Sequence, residues 1–179
     1  MSNAVIFHVD DVGMCHAQIE RARSAGIRPT HIDAHMAAAM LPELLNCHVR
    51  LGHDYGLVPV LPRSIRFAPD PRSYDATVAA LERAGLPVVD PFAAPCRSPP
   101  KPSSPANRTL VEELPAGVTH FAVHCAAPGD VEAITPQHAL WRTNEYALFA
   151  SGAVAKWCAA LGIEAVGYRD IQRLWLRDR

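Results

Sequence analysis

The chain has 179 residues, of which 49% are hydrophobic, and this is enough for one sizeable globular core. The formal net charge of -1 argues against electrostatic binding to nucleic acid or to an anionic membrane surface. Five cysteines without Cys-x-x-Cys spacing argue against a disulfide framework or a zinc ribbon. No apolar run has the length of a membrane span and no basic signal region opens the chain, so we expect a cytoplasmic protein.

Strands and helices are predicted to alternate along the chain, which favours parallel strands joined by crossover helices. The predicted strands are 4–9, 30–34, 57–61, 86–89, 119–124 and 163–166. The predicted helices are 17–25, 41–55, 73–84, 107–114, 140–161 (as one or two segments) and 171–176. Gly26, Gly56 and Gly85 are expected at helix ends, Ser73 and Asn107 are expected to cap helices, and the Pro-rich stretch 93–106 is expected to be a loop.

Two adjacent aspartates, Asp10 and Asp11, follow the first predicted strand. The carboxyl ends of parallel strands are where open α/β sheets and α/β barrels place their chemistry. Adjacent carboxylates repel each other unless a cation or a shared proton relieves the repulsion. The pair therefore indicates metal binding or acid–base chemistry; the alternative is a turn that caps the following helix.

The second predicted strand carries His31, Asp33 and His35, each two residues apart. On a strand, residues at this spacing point to the same face. Two imidazoles and a carboxylate suit zinc, or a harder divalent ion whose remaining ligands are waters. The alternative is that each histidine is an ordinary core residue.

A later predicted strand ends at His124, before a loop that contains Pro128 and Gly129. Three strands thus end in acidic, basic or ligand-type side chains, and together they predict a site at one end of a sheet. Cys125 is a poor candidate for a nucleophile that is activated by His124, because neighbours on a strand point to opposite sides.

These motifs resemble those of the YdjC-like carbohydrate deacetylases, which include chitooligosaccharide and hopanoid-associated deacetylases. The similar segments are Asp10-Asp11-Val12-Gly13, Pro29-Thr30-His31-Ile32-Asp33-Ala34-His35, Val123-His124-Cys125-Ala126-Ala127-Pro128-Gly129, Arg142-Thr143-Asn144-Glu145 and Tyr168-Arg169-Asp170. Because that family has a distorted TIM-type barrel, the resemblance implies one (β/α) domain over 1–179. With about six parallel strands rather than the usual ~8, we expect an incomplete or distorted barrel.

One departure from the family pattern concerns the metal. Family members have a block between the first two motifs, and its Gly-x-His histidine is a metal ligand. Here only 14–28 separate the two motifs, so two of the three implied ligands are present.

The resemblance implies a metal-dependent hydrolase that removes acetyl groups from N-acetylated sugars or glycolipids, with magnesium or zinc as its cofactor. It implies a general base, a residue that protonates the leaving amine or stabilises the oxyanion, and ligands for the metal. The candidate residues are Asp10 and His124 for catalysis, Asp11 and His35 as metal ligands, His31 and Asp33 as additional ligands or site residues, and Arg63 and Trp141 as sugar contacts.

Two alternatives to this function stay open. One is a different metal-dependent hydrolase that uses the same residues, and the other is a degenerate domain that binds a sugar or a protein without catalysis. An incomplete barrel would expose strand edges, so we also expect a homodimer that completes it. Arg63 has the alternative of an ordinary surface arginine.

Overall fold

A computed structural model describes residues 3–8, 15–33, 35–65, 70–90, 92–94 and 105–177; it does not extend to the side chains at 3–8, 35–36 and 105–106. The chain divides into two compact units. The first comprises Met1–Val9 with Phe92–Val166, and the second comprises Asp10–Pro91 with Gly167–Arg179.

The strands are β1 (Asn3–His8), β2 (His31–Ile32), β3 (Val58–Pro59), β4 (Phe92–Ala93), β5 (Gly117–Ala122) and β6 (Ile163–Ala165). The α-helices are α1 (His16–Ser24), α2 (Pro42–Tyr55), α3 (Pro71–Arg83), α4 (Pro105–Glu112), α5 (Asp130–Ile134), α6 (Pro136–Ala150), α7 (Ala153–Ala160) and α8 (Tyr168–Arg177). A 3-10 helix covers His35–Met40.

The first unit contains a parallel four-stranded sheet in the order β4-β5-β1-β6. On β5, Phe121 packs into a buried apolar cluster that includes Val111 of α4, Leu148 of α6 and Val154 of α7. These helices therefore cover one face of the sheet. His120 points to the opposite face, because side chains alternate along a strand. It is fully buried, and its ring stacks on that of Phe92 on the neighbouring strand, with centroids 4.0 Å apart.

The second unit contains the parallel pair β2-β3 and an isolated parallel bridge between Pro62 and Val89. Ile32 of β2 is buried with Ile19 of α1 and Leu51 of α2, so these two helices pack against one side of β2. A second buried cluster joins the 3-10 helix, α2 and α3; its members are Met40, Leu45, Leu61, Ile65, Tyr74 and Val78.

The predicted glycine stops are confirmed by the hydrogen bonds at the helix ends. After α2, Gly56 has left-handed angles, with φ 64° and ψ 33°. Its N–H donates to the His53 carbonyl at 3.3 Å, and the Leu57 N–H donates to the Gly52 carbonyl at 2.8 Å. This pair of bonds is the Schellman motif, which glycine favours because it adopts positive φ without steric cost. The same two bonds follow α1 at Gly26 and α3 at Gly85.

Several local predictions are wrong. Asn107 does not cap α4, which begins at Pro105, because the fixed φ and the missing N–H of proline suit the first turn of a helix. The predicted loop 93–106 is therefore helical at its end, and 95–104 lie outside the described residues. The N-cap of α3 is Asp70 rather than Ser73, and its carboxylate accepts the Ser73 N–H at 3.2 Å.

Four predicted strands are shorter than expected, since the strand over 57–61 reduces to Val58–Pro59 and that over 163–166 ends at Ala165. The strand predicted over 30–34 ends at Ile32, and the strand predicted over 86–89 reduces to the single bridge at Val89. One strand, β4, and one helix were not predicted, and β4 overlaps the start of the predicted loop 93–106. Helix α5 was missed, and the long segment after it resolves into α6 and α7, with Gly152 between them at φ 71°.

The α/β class with parallel strands is confirmed. Over the described residues the strands form these two sheets and no closed barrel, so the incomplete six-stranded barrel stays a prediction. No helix in the described part of the chain is both long and apolar enough to cross a membrane.

Candidate functional site

The carboxyl end of β2 carries the first group of predicted site residues. His31 is half-buried, and Asp33 is buried, with only 5% of its surface exposed. Ile32, between them, points into the apolar cluster with α1 and α2. His31 therefore lies on the other side of β2, and Asp33 follows directly after the strand.

Two contacts fix the His31 ring. It stacks on the ring of Tyr168, with centroids 4.3 Å apart and an interplanar angle of 21°. Its Nδ1 lies 3.0 Å from the hydroxyl oxygen of Thr30. Tyr168 is buried at the start of α8 and belongs to this group through its contact with His31. No local sequence pattern predicts that contact.

His35 does not continue the alternation of β2, so this part of the sequence argument is wrong. The strand ends at Ile32, and His35 begins the 3-10 helix, in which successive residues turn by about a third of a circle rather than a half. The His35 side chain and both aspartates, Asp10 and Asp11, lie outside the described residues. Among the side chains that are described, no three His, Cys, Asp or Glu residues form a group that could hold a metal ion. The assignment of the ligands stays a prediction.

Arg63, which follows β3, binds two carboxylates. Its Nε donates to Oδ1 of Asp90 at 2.9 Å. Its two terminal nitrogens donate to Glu82, one to Oε1 at 2.8 Å and the other to Oε2. The hydrogen bond to Glu82, followed by that to Asp90, raises the pKa of Arg63. The same contact lowers the pKa of Glu82. Arg63 thus joins the segment after β3 to the end of α3, and its contact with a sugar stays a prediction.

The carboxyl end of β5 carries the second group, and this group is attached to α6. The His124 N–H donates to Oε2 of Glu145 at 2.7 Å. Glu145 is buried on α6, with 5% of its surface exposed. Two residues further on, the Ala126 N–H donates to the Arg142 carbonyl at 3.2 Å. Two hydrogen bonds therefore hold the segment after β5 against one stretch of α6.

The predicted acid His124 and the predicted sugar contact Trp141 lie side by side. Their rings meet edge to face, with centroids 5.3 Å apart, and His138 approaches Trp141 in the same manner at 5.9 Å. The Arg142 guanidinium lies over the Trp141 ring, 5.0 Å from its centroid. His138 and Glu145 were missed as members of this group. His138 precedes Trp141 by three residues and Glu145 follows it by four, which places all three along one helix face. This spacing is the signal that could have found them.

The half-buried Cys125 does not have the properties of an activated nucleophile. Burial raises the pKa of its thiol, and the negative charge of Glu145 raises it further. Because the thiolate is the reactive form, this environment favours an inert thiol at neutral pH. The sequence argument against Cys125 therefore gains independent support.

Comparison with known proteins assigns the family. A model of the YdjC-like protein family matches residues 14–160. The chain belongs to the YdjC-like family. A carbohydrate deacetylase of Thermus thermophilus is 31% identical over 137 residues, which are 75% of this YdjC-like chain and 49% of that protein. The chain thus spans about half the length of this relative.

A solved structure from Enterococcus faecalis V583, described as that of a cellobiose-phosphate cleavage protein, has a similar fold. It matches the YdjC-like chain with a TM-score of 0.64 and 19% identity, over 87% of this chain and 57% of that one. The residues matched by the family model contain the end of β2 and the end of β5, whereas Asp10, Asp11 and Tyr168 lie outside them.

Proposed function

We propose that this YdjC-like chain is a metal-dependent hydrolase that removes acetyl groups from N-acetylated sugars. The observation that carries the proposal is the 31% identity with a carbohydrate deacetylase over three quarters of the chain. The substrate class, the metal and the activity itself all belong to the proposal.

The donor set at β2 fits a divalent cation. Asp33 is buried and His31 is half-buried at the carboxyl end of β2. Carboxylate and imidazole are ligands for both zinc and magnesium. We propose Asp11 and His35 as the ligands, with Asp33 and His31 as additional ones.

Hydrolysis of the acetamide forms a bond between a water oxygen and the acyl carbon and breaks the bond from that carbon to nitrogen. A bound magnesium or zinc ion supplies Lewis-acid polarisation and makes water more acidic. Asp10 accepts the proton of the attacking water. His124 donates a proton to the departing nitrogen, which leaves as the free amine of the sugar, together with acetate.

Trp141 is the proposed contact for the sugar ring, because its half-buried indole adjoins His124. Its substitution is expected to raise KM more than it lowers kcat, since a stacking contact binds substrate and transition state alike. Arg63 is the weaker candidate, because carboxylates already bind its guanidinium nitrogens.

Metal content is the first test. We expect near-stoichiometric zinc or magnesium by mass spectrometry after loading, and its loss in Asp11→Ala and in His35→Ala. The exposed His53, which lies on α2, provides the matched control, and His53→Ala is expected to keep the metal. A protein that holds no metal after loading would contradict the assignment of the ligands.

Acetate release is the second test. We expect release from oligomers of N-acetylglucosamine, abolished by chelation and restored by one of magnesium, zinc, manganese or cobalt. No release with any of them would overturn the proposed activity. Saturable binding of the same oligomers without release would instead identify a sugar-binding domain, and turnover of another ester or amide would identify a different hydrolase.

The homodimer is part of the proposal as well. The described edge strands of the first unit, β4 and β6, have only two and three residues, and such short edges disfavour pairing with other chains, so the proposed dimer rests on the incomplete barrel alone. Size-exclusion chromatography with light scattering at micromolar concentration tests the dimer, and a monomer there would contradict it.

A further inference from the structure

We propose that Glu145 is a positioning residue that fixes His124 at the carboxyl end of β5. The inference rests on the proposed function, in which His124 is the general acid. Glu145 does not itself act on the substrate in this scheme; it determines where the His124 backbone, and with it the imidazole, is held.

The hydrogen bond between them is of the strong kind. At 2.7 Å, the distance from the His124 nitrogen to the Glu145 carboxylate is short for a bond from a backbone N–H. A charged acceptor makes such bonds shorter and about twice as strong as neutral ones. Because Glu145 is buried, little water competes for its carboxylate.

The position of this bond in the fold matters as much as its strength. His124 lies two residues beyond Ala122, where β5 ends, so the pairing of the described strands does not extend to it. The bond to Glu145 connects the backbone at this position to α6. The nearby bond from Ala126 to the Arg142 carbonyl involves only backbone atoms, so it survives substitution of the Glu145 side chain.

Amide hydrogen exchange measured by NMR tests the contact without any activity assay. Replacing Glu145 by alanine is expected to speed exchange at the His124 amide by about tenfold to a hundredfold, which corresponds to the loss of a bond to a charged group. Glu145→Gln, which keeps an acceptor oxygen, is expected to show a smaller change. The Ala126 amide serves as the internal reference, and the exposed Glu113→Ala serves as the matched control. Unchanged exchange at His124 in Glu145→Ala overturns the inference.

Kinetics tests whether the contact serves catalysis. Glu145→Ala is expected to lower kcat by about tenfold to a hundredfold with little change in KM, because a misplaced acid affects the transition state more than substrate binding. Glu145→Gln is expected to recover most of the loss. In a His124→Ala background, Glu145→Ala is expected to cost less than about twofold more, since residues that act as a unit are not additive.

The possible results separate the two proposals. A full additional loss in the double variant, or an effect on KM alone, overturns the positioning role while leaving the deacetylase intact. A wild-type protein that releases no acetate overturns the proposed function, and hydrogen exchange then decides the Glu145 contact by itself.

Discussion

Replacing Gly52 by alanine tests how closely helix α2 approaches the chain that follows it. A Cβ atom at Gly52 would lie 2.7 Å from the carbonyl oxygen of Leu57 and 2.9 Å from Cδ of Pro59. Both distances are below 3.0 Å, a separation that real Cβ atoms essentially never show. Two of the three atoms nearest to this Cβ belong to the rigid Pro59 ring and the third is backbone, so neither α2 nor β3 can accommodate the methyl group without a shift.

Two effects of opposite sign compete at Gly52. Alanine is favoured over glycine in a helix interior by about 1 kcal/mol. That gain is smaller here, because Gly52 lies in the last turn of α2 and its carbonyl accepts the Leu57 N–H. Overpacking a tight contact costs about 1–3 kcal/mol. We therefore expect Gly52→Ala to lower the free energy of unfolding by about 1–2 kcal/mol.

Urea denaturation followed by circular dichroism measures this difference. Asn46→Ala, at an exposed position of the same helix, is the control and is expected to raise stability by about 0.5 kcal/mol through helix propensity alone. If Gly52→Ala is as stable as the wild type or more stable, the close approach of α2 to β3 is refuted.

Three further predictions concern stability and reactivity. Arg63→Ala is expected to cost about 1 kcal/mol or less at neutral pH, because the pair is substantially exposed. Since Arg63 lowers the pKa of Glu82, this contribution is present above the unfolded pKa of Glu82 and is lost as pH falls through the folded value, so the variant and the wild type should converge in acid. Iodoacetamide is expected to label exposed Cys15 well before Cys125, whose pKa burial raises, as measured by peptide mass spectrometry. Tyr168→Ala is expected to lower the free energy of unfolding by about 3–5 kcal/mol in urea titrations, because its ring is buried.

Each of these has a clear contrary result. A constant difference between Arg63→Ala and the wild type from pH 7 down to pH 2 would show that the ion pair with Glu82 contributes nothing. Equal labelling of the two cysteines would contradict the burial of Cys125. If Tyr168→Ala lowers the free energy of unfolding no more than Tyr146→Ala, a substitution of an exposed tyrosine, the buried contact of Tyr168 with His31 is contradicted.

Local features of the sequence determined the alternation of strands and helices and the points where helices end. Gly56 could be placed after α2 from sequence because only glycine takes left-handed angles at little cost, whatever surrounds it. The opposite directions of His31 and Ile32 could also be predicted, because side-chain direction alternates wherever a strand forms. These are properties of a residue and its immediate neighbours.

The partners of the site residues were decided only by the tertiary structure. Glu145 meets the N–H of His124 across 21 residues of chain, and Arg63 meets Glu82 across 19. The alternation predicted up to His35 was wrong, because the length of β2 depends on its pairing with β3, and that pairing stops at Ile32. Sequence periodicity sets the direction of a side chain within an element, but it carries no information about which distant element comes to lie against it.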